Sequence, residues 1–404
     1  MTDPFRIYIL WHPDFTKGAA VARRLYHLLG KDVTDPAKVE IGIPVFYRSE
    51  AFKNEQPKPI DLSQSQKNTV IVLADPEMKL DQHYVKYLED LVEQADEAQN
   101  PLRILPVAFT WHALSISSKI GATNFVRYYE YEKELADKHL EFRLVHELTR
   151  YLYGHDSVTD AMNPNKGKRT TATANARGQI SKRPVKIFLS HAKDPHKEDG
   201  GEKLAKLFNA FILTELGLNT FFDVLHIPVG EGFRESIEEA IKASTVIAIH
   251  SDRYASREWC RREILLAKKH GRPLVVVNAF KKGEDRGFPY MSNVPNLHWY
   301  SESMYDVQEV VLSIALLALL ETLRAEYQEI YLKELLSRNP HISKQVLTRL
   351  NYIPELLSLL KLEPTEDKDL VIYPDPPLGL EETELLQAMN PYIRLATPNQ
   401  LDLL

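Results

Sequence analysis

The sequence predicts an α/β protein made of two similar parallel-sheet units and a smaller C-terminal piece. Three observations predict it. Short apolar runs alternate with amphipathic helical stretches in two successive series, the pattern of strands covered on both faces by crossover helices. A small, polar, basic stretch with almost nothing to bury separates the series at residues 154–183, so a flexible linker is expected there. The 404 residues also exceed what one hydrophobic core usually serves.

In the first series, residues 1–153, Arg6-Ile7-Tyr8-Ile9-Leu10-Trp11 reads as a buried strand and residues 18–29 as an amphipathic helix. Residues 43–47 form a short edge strand. The buried strand 68–74, the helix 83–95 and the strand 103–109 follow. Residues 125–129 supply a last strand before a helix over 132–153.

The second series, residues 184–331, repeats that order. Val185-Lys186-Ile187-Phe188-Leu189-Ser190 is a strand, residues 202–215 a helix, and Asn219-Thr220-Phe221-Phe222-Asp223 a strand ending on an acidic residue. The loop 227–233 enters a helix over 234–243. Next come the strand 245–250, the helix 257–270, the strand 273–279 and an extended piece at 297–300. A long helix over 307–331 closes the unit. Asn68-Thr69-Val70-Ile71-Val72-Leu73 lies without gaps on Ser244-Thr245-Val246-Ile247-Ala248-Ile249, so the two series read as a duplication of one fold.

The tail, 332–404, is expected to be mainly helical. Its helices break at Pro340 and Pro354, residues 369–373 are strand-like, 374–379 form a rigid proline-rich stretch, and 380–389 a further helix.

Composition excludes several classes. Hydrophobic content of 44% with 26% charged residues is that of a soluble globular protein, and a net charge of −6 points to neither nucleic acid nor membrane. The single cysteine, Cys260, rules out an internal disulfide framework and suits a reducing cytoplasm. No secretory signal opens the chain. The apolar run 310–320 is well short of the roughly 20 residues that span a bilayer, so a buried or interface helix is expected. Phosphate-loop, paired-cysteine and His-Glu-x-x-His patterns are absent, and the 14 histidines are scattered, so no metal and no cofactor are expected.

Parallel sheets bind ligands at the carboxyl ends of their strands. In the second unit that edge collects Ser190 and His191, Asp223, the loop 227–233 and the start of a helix for which Ser256 is the expected N-cap. Trp259, Cys260 and Glu263 then share a helix face. A carboxylate beside an indole and a thiol is partly desolvated, which suits a functional group. A surface glutamate favoured by the helix dipole fits the same spacing.

The combination Val185 to His191, Phe221-Phe222-Asp223, Gly230-Glu231-Gly232-Phe233 and Ser256-Arg257-Glu258-Trp259-Cys260-Arg261-Arg262-Glu263 resembles Toll/interleukin-1 receptor (TIR) domains of the prokaryotic NAD-cleaving type. The resemblance implies a five-stranded, parallel, flavodoxin-like sheet, and by the duplication two such domains in tandem. It implies either a scaffold that assembles through its surfaces or an enzyme that cleaves NAD⁺ with the glutamate matched by Glu263. It further implies self-association, activation by assembly or by a partner sensor protein, and a role in antiviral defence.

Ser190, His191, Asp223, Phe233 and Trp259 are the matched substrate-side residues. Trp259 reads as a wall of the ribose pocket or as a core anchor, and Asp223 as a ribose ligand or a loop cap. The gapless register sets His83 opposite Trp259 and Tyr87 opposite Glu263, so the first unit is expected to be a degenerate, non-catalytic TIR-like domain.

Overall fold

Val70, Ile71, Val72 and Leu73 are all fully buried, as a strand inside a parallel sheet requires. The computed structural model describes residues 3–30, 41–53, 56–97, 102–121, 123–153, 185–193, 200–213, 219–221, 233–282, 287–299, 304–360 and 362–403. The linker 154–183, Asp223 and the loop 227–232 lie outside the described residues. The chain divides into two units, Met1–Lys182 and Arg183–Leu404.

In the first unit the strands are β1 (Asp3–Trp11), β2 (Val45–Arg48), β3 (Ala51–Lys53), β4 (Gln56–Pro57), β5 (Ser65–Ala74), β6 (Leu102–Ala108) and β7 (Val126–Arg127). Five of them form a parallel sheet in the order β2-β1-β5-β6-β7, while β3 and β4 make a separate antiparallel pair. The edge strand expected from residue 43 starts at Val45. Pro44 only accepts, from the Ile7 amide at 3.0 Å, because it has no N–H to donate to the ladder. Helices Thr16–Leu29, Gln82–Glu97 and Ala136–Tyr153 accompany the sheet.

The second unit contains β8 (Lys186–His191), β9 (Asn219–Phe221), β10 (Thr245–His250), β11 (Leu274–Asn278) and β12 (Asn296–His298). Their parallel sheet runs β9-β8-β10-β11-β12. With β3 and β4 set aside, both sheets follow the order 2-1-3-4-5, which places a switch point between their first and third strands.

The registers also correspond. Thr69 pairs with Ile7 in one sheet and Thr245 with Ile187 in the other. The two threonines differ in one respect. Thr245 Oγ1 lies 2.6 Å from Thr322 Oγ1, which itself donates to the Ala318 carbonyl at 2.7 Å, so Thr245 is the donor between them. Thr69 Oγ1 is buried with no partner among the described residues. Thr245→Val should therefore cost about 1 kcal/mol, whereas Thr69→Val should gain a similar amount. Urea midpoints of the two variants should move in opposite directions.

The closing helix is longer than its expected 307–331 and runs Met304–Arg338. Val311, Leu312, Ile314, Ala315, Ala318 and Leu319 are buried, and the helix packs on β10 and β11. Its far end enters a second core, where Leu332 and Leu336 meet Ile342, Leu370, Ile372, Ala396 and Leu401. No described helix is long and apolar enough to cross a membrane.

The tail adds β13 (Val346–Arg349), β14 (Leu370–Ile372) and β15 (Arg394–Ala396) to its helices. They pair in parallel and in sequence order, with Val346, Leu370 and Arg394 opposite one another, so the same 24-residue step recurs. Sequence alone placed only the middle strand, the all-apolar Leu370-Val371-Ile372, because β13 and β15 are as short but include polar residues and show no readable pattern. Arg394 locks the last step through hydrogen bonds of 2.7 and 2.8 Å to the Asp369 carboxylate. The tail docks on the helix Glu258–Lys269, where Lys268 Nζ lies 2.5 Å from Glu355 Oε1.

Beside that contact, Gly271 has φ +57°, and a Cβ there would sit 2.7 Å from the Tyr352 ring. Gly271→Ala combines a left-handed backbone with a clash, and should lower stability by about 1–3 kcal/mol. Thermal melting would show it.

Candidate functional site

Ser190 and His191 end β8 at the carboxyl edge of the second sheet. From β10 the chain passes through residues 251–257 into the helix Glu258–Lys269. Two backbone bonds shape this loop, Tyr254 N–H to the Ser251 carbonyl at 2.9 Å and Arg257 N–H to the Tyr254 carbonyl at 3.0 Å. The Asp252 carboxylate accepts from the Lys281 and Lys282 amides. Held this way, Tyr254 turns fully inward among Phe188, Ala248, Cys260 and Ile264.

Three polar side chains from three elements meet there. Ser190 Oγ donates to Glu263 Oε2 at 2.5 Å and is also hydrogen-bonded to the Tyr254 hydroxyl. Ser190 and Tyr254 are buried, whereas Glu263 keeps partial exposure. Burial pushes the Tyr254 phenol well above its ordinary value, reinforced by the neighbouring Cys260 and Glu263 and opposed by the bond to Ser190. The phenol therefore stays protonated.

Cys260 is buried and its Sγ donates to the His191 carbonyl at 3.5 Å, tying the helix to the end of β8. Cys260 is thus a small packed residue. Trp259 is not a core anchor: 38% of it is exposed, with the Arg262 guanidinium 5.3 Å above its ring. Position 259 faces outward because Cys260, Ile264 and Ala267 take the core stripe. Ser256 is not the N-cap either. Arg257 holds that position, and the Ser256 hydroxyl is satisfied by the Arg253 carbonyl at 2.7 Å.

Of the expected site residues, Ser190 and Glu263 are joined directly and His191 is adjacent through its backbone. Trp259 lies one helical turn before Glu263 and is solvent-facing. Asp223 is outside the described residues. Phe233 opens the helix Phe233–Lys242, and its side chain is outside the described residues. Among the described residues no group of three or more His, Cys, Asp or Glu is placed to hold a metal ion.

Sequence reasoning missed Tyr254. It sits in Ser251-Asp252-Arg253-Tyr254-Ala255-Ser256, a stretch whose polarity suggests surface. A signal existed nonetheless, since the register of Thr69 on Thr245 sets Tyr254 opposite the apolar Met78.

Residues 187–300 match the family model described as TIR domain. This part of the chain is a TIR domain. Among solved structures, the TIR domains of the activated Roq1 resistosome, which directly recognizes the pathogen effector XopQ, are 29% identical with a TM-score of 0.20. That match covers 24% of this chain and 57% of the other, so it spans little more than half of that chain's length. A dinucleotide-forming acetyl-coenzyme A synthetase 1 from Ca. Korarchaeum cryptofilum is 8% identical at TM-score 0.29, over 81% of this chain and 67% of that one. The C-terminal domain of glucosamine-fructose-6-phosphate aminotransferase from Francisella tularensis is 11% identical at TM-score 0.18, over 80% and 85%. At these TM-scores none of the three likenesses bears on function. Comparison with curated proteins gives no match.

The first unit has different residues at the corresponding places of its own sheet. The matching helices start at corresponding residues, Gln82 and Glu258, and Leu10 stands in register where the TIR domain has Ser190. Leu10, Met78 and Tyr87 occupy the positions of Ser190, Tyr254 and Glu263, and all three lie in one buried apolar cluster. Burial pushes the Tyr87 phenol up to about 12, and its hydroxyl donates to the Lys58 carbonyl at 3.0 Å. Each polar member of the TIR site has an apolar or phenolic counterpart.

Proposed function

We propose that the TIR domain is an NAD⁺ nucleosidase, a glycohydrolase or cyclase that breaks the nicotinamide–ribose bond with Glu263 as its catalytic carboxylate. The observation that carries this reading is the hydrogen bond from buried Ser190 to Glu263 at the carboxyl edge, beside a solvent-facing Trp259. The family resemblance supplies the substrate class.

The chemistry suits such a carboxylate. The nicotinamide ring of NAD⁺ is cationic, so the C–N bond can break with its electron pair returning to the ring nitrogen and no general acid. Positive charge then develops on the ribose, and a fixed carboxylate stabilises it. Water attack gives ADP-ribose and a proton, while attack by an adenine nitrogen gives a cyclic product. Ser190 orients the carboxylate, Trp259 offers a flat apolar wall, and His191, Asp223 and Phe233 are the remaining substrate-side residues of the proposal. NAD⁺ is the substrate, and no separate cofactor is invoked.

Residues 1–153 are a flavodoxin-like, non-catalytic TIR-like domain, 154–183 a basic linker, 184–331 the catalytic domain and 332–404 an extension. The chain acts in the cytoplasm, self-associates, and answers to assembly or a partner sensor protein, with antiviral defence as its setting. The alternative is a non-catalytic TIR scaffold recruiting partners through its loops and the apolar run 310–320; much of that run is buried against β10 and β11, which leaves the loops as its main surface.

NAD⁺ consumption followed with light scattering, from dilute to crowded samples and with candidate partners, tests the reading. Consumption should rise as assemblies form. No consumption in any assembled state would favour the scaffold, and full activity in a strict monomer would remove assembly from the account.

A further inference from the structure

We propose that Tyr254 is a positioning residue that acts through Ser190, so that a one-way chain of two hydrogen bonds, Tyr254 to Ser190 to Glu263, sets the orientation and charge of the Glu263 carboxylate. The inference rests on Glu263 as the catalytic group and names a residue that supports it.

Hydrogen accounting fixes the direction. Ser190 Oγ has one proton and two oxygen neighbours, the Tyr254 hydroxyl and Glu263 Oε2. An ionised carboxylate only accepts, so the Ser190 proton points to Glu263 and Ser190 accepts from Tyr254. Tyr254 is fully buried, and among the described residues its hydroxyl has no other partner. A Glu263 protonated on its other oxygen would still accept from Ser190, but as a neutral carbonyl, a weaker acceptor than a carboxylate. Donation from Ser190 therefore favours the charged form, and the Tyr254 proton keeps Ser190 turned that way. Burial also keeps the phenol protonated and therefore able to donate. Each bond polarises the next, and the three members come from β8, the loop 251–257 and the following helix, so the chain ties those elements together.

A second observation points the same way. In the first unit the corresponding positions hold Leu10, Met78 and Tyr87, so where the glutamate is absent the serine and the inward tyrosine are absent with it.

Other titratable and charged groups on the elements that meet here are Lys186 and His191 on β8, His250 on β10, Asp252, Arg253 and Arg257 in the loop, and Glu258, Cys260, Arg261, Arg262, Lys268 and Lys269 on the helix. The His250 ring lies 5.6 Å from that of Tyr254. These groups are unchanged in the variants below, so differences between variants report the chain.

The test uses the full-length protein, wild type, Tyr254→Phe, Ser190→Ala and the double variant. Two readouts are taken, steady-state NAD⁺ kinetics across pH and a ¹³C NMR titration of the Glu263 side-chain carboxyl. Tyr254→Phe keeps the ring and removes one hydroxyl. It should lower kcat about tenfold, the scale of one weakened charge-assisted hydrogen bond, with KM nearly unchanged. The acid limb of kcat and the Glu263 titration midpoint should move together to higher pH. Ser190→Ala should move both further, and adding Tyr254→Phe to it should change nothing more, because Tyr254 acts only through Ser190.

An unchanged Glu263 titration in Tyr254→Phe, or additive effects in the double variant, would overturn the chain. If Tyr254→Phe does not fold, the Ser190→Ala titration alone decides: an unmoved midpoint overturns the chain. If wild type cleaves no NAD⁺, the functional reading fails, while the titration still decides whether Tyr254 governs Glu263.

Discussion

Glu263→Gln should reduce nicotinamide release about 10²- to 10³-fold, the scale expected when one preorganised electrostatic partner of a transition state is removed. Glutamine has nearly the shape of glutamate and still offers an oxygen to the Ser190 hydroxyl, which donates to Glu263 Oε2 in the native chain. The helix Glu258–Lys269 buries Cys260, Ile264, Leu266 and Ala267, and none of these contacts involves the charge. The variant should therefore melt close to wild type while losing turnover. A large fall in melting temperature accompanying the loss of activity would instead assign Glu263 a structural role.

Leu319→Ala should be the most damaging of the stability changes, costing about 2–5 kcal/mol. Leu319 is fully buried on the long helix Met304–Arg338, where that helix covers β10 and β11. Truncation removes several methyl and methylene groups and leaves a cavity between a helix and a sheet that cannot collapse independently. Urea unfolding would show the loss as a lower midpoint. A change within about 0.5 kcal/mol, the range of a substitution on an exposed face, would contradict the buried reading of this helix.

Much of the two parallel sheets was legible in the sequence, because their central strands are continuous apolar runs with few alternatives. Thr69 on Thr245 set the two units in register without gaps, and the structure gives both residues the same place against β1 and β8. Shorter strands were less legible. β13 and β15 have three or four residues each and are held by stacking on β14 and by the Arg394–Asp369 pair, which no local pattern announces.

The site was legible where helical spacing governs it, since Trp259 and Glu263 lie one turn apart. Spacing did not tell which face is buried. Trp259 points outward because the smaller Cys260, Ile264 and Ala267 take the core stripe. Tyr254 was hidden by its polar neighbours, and its inward turn depends on backbone bonds to Ser251 and Arg257 that form only in the folded loop.

Nicotinamide release from NAD⁺ should be measured side by side for wild type and Glu263→Gln at matched assembly. Release should grow with time in wild type and stay near background in the variant. Equal release from both proteins would remove Glu263 from the chemistry and contradict the central claim.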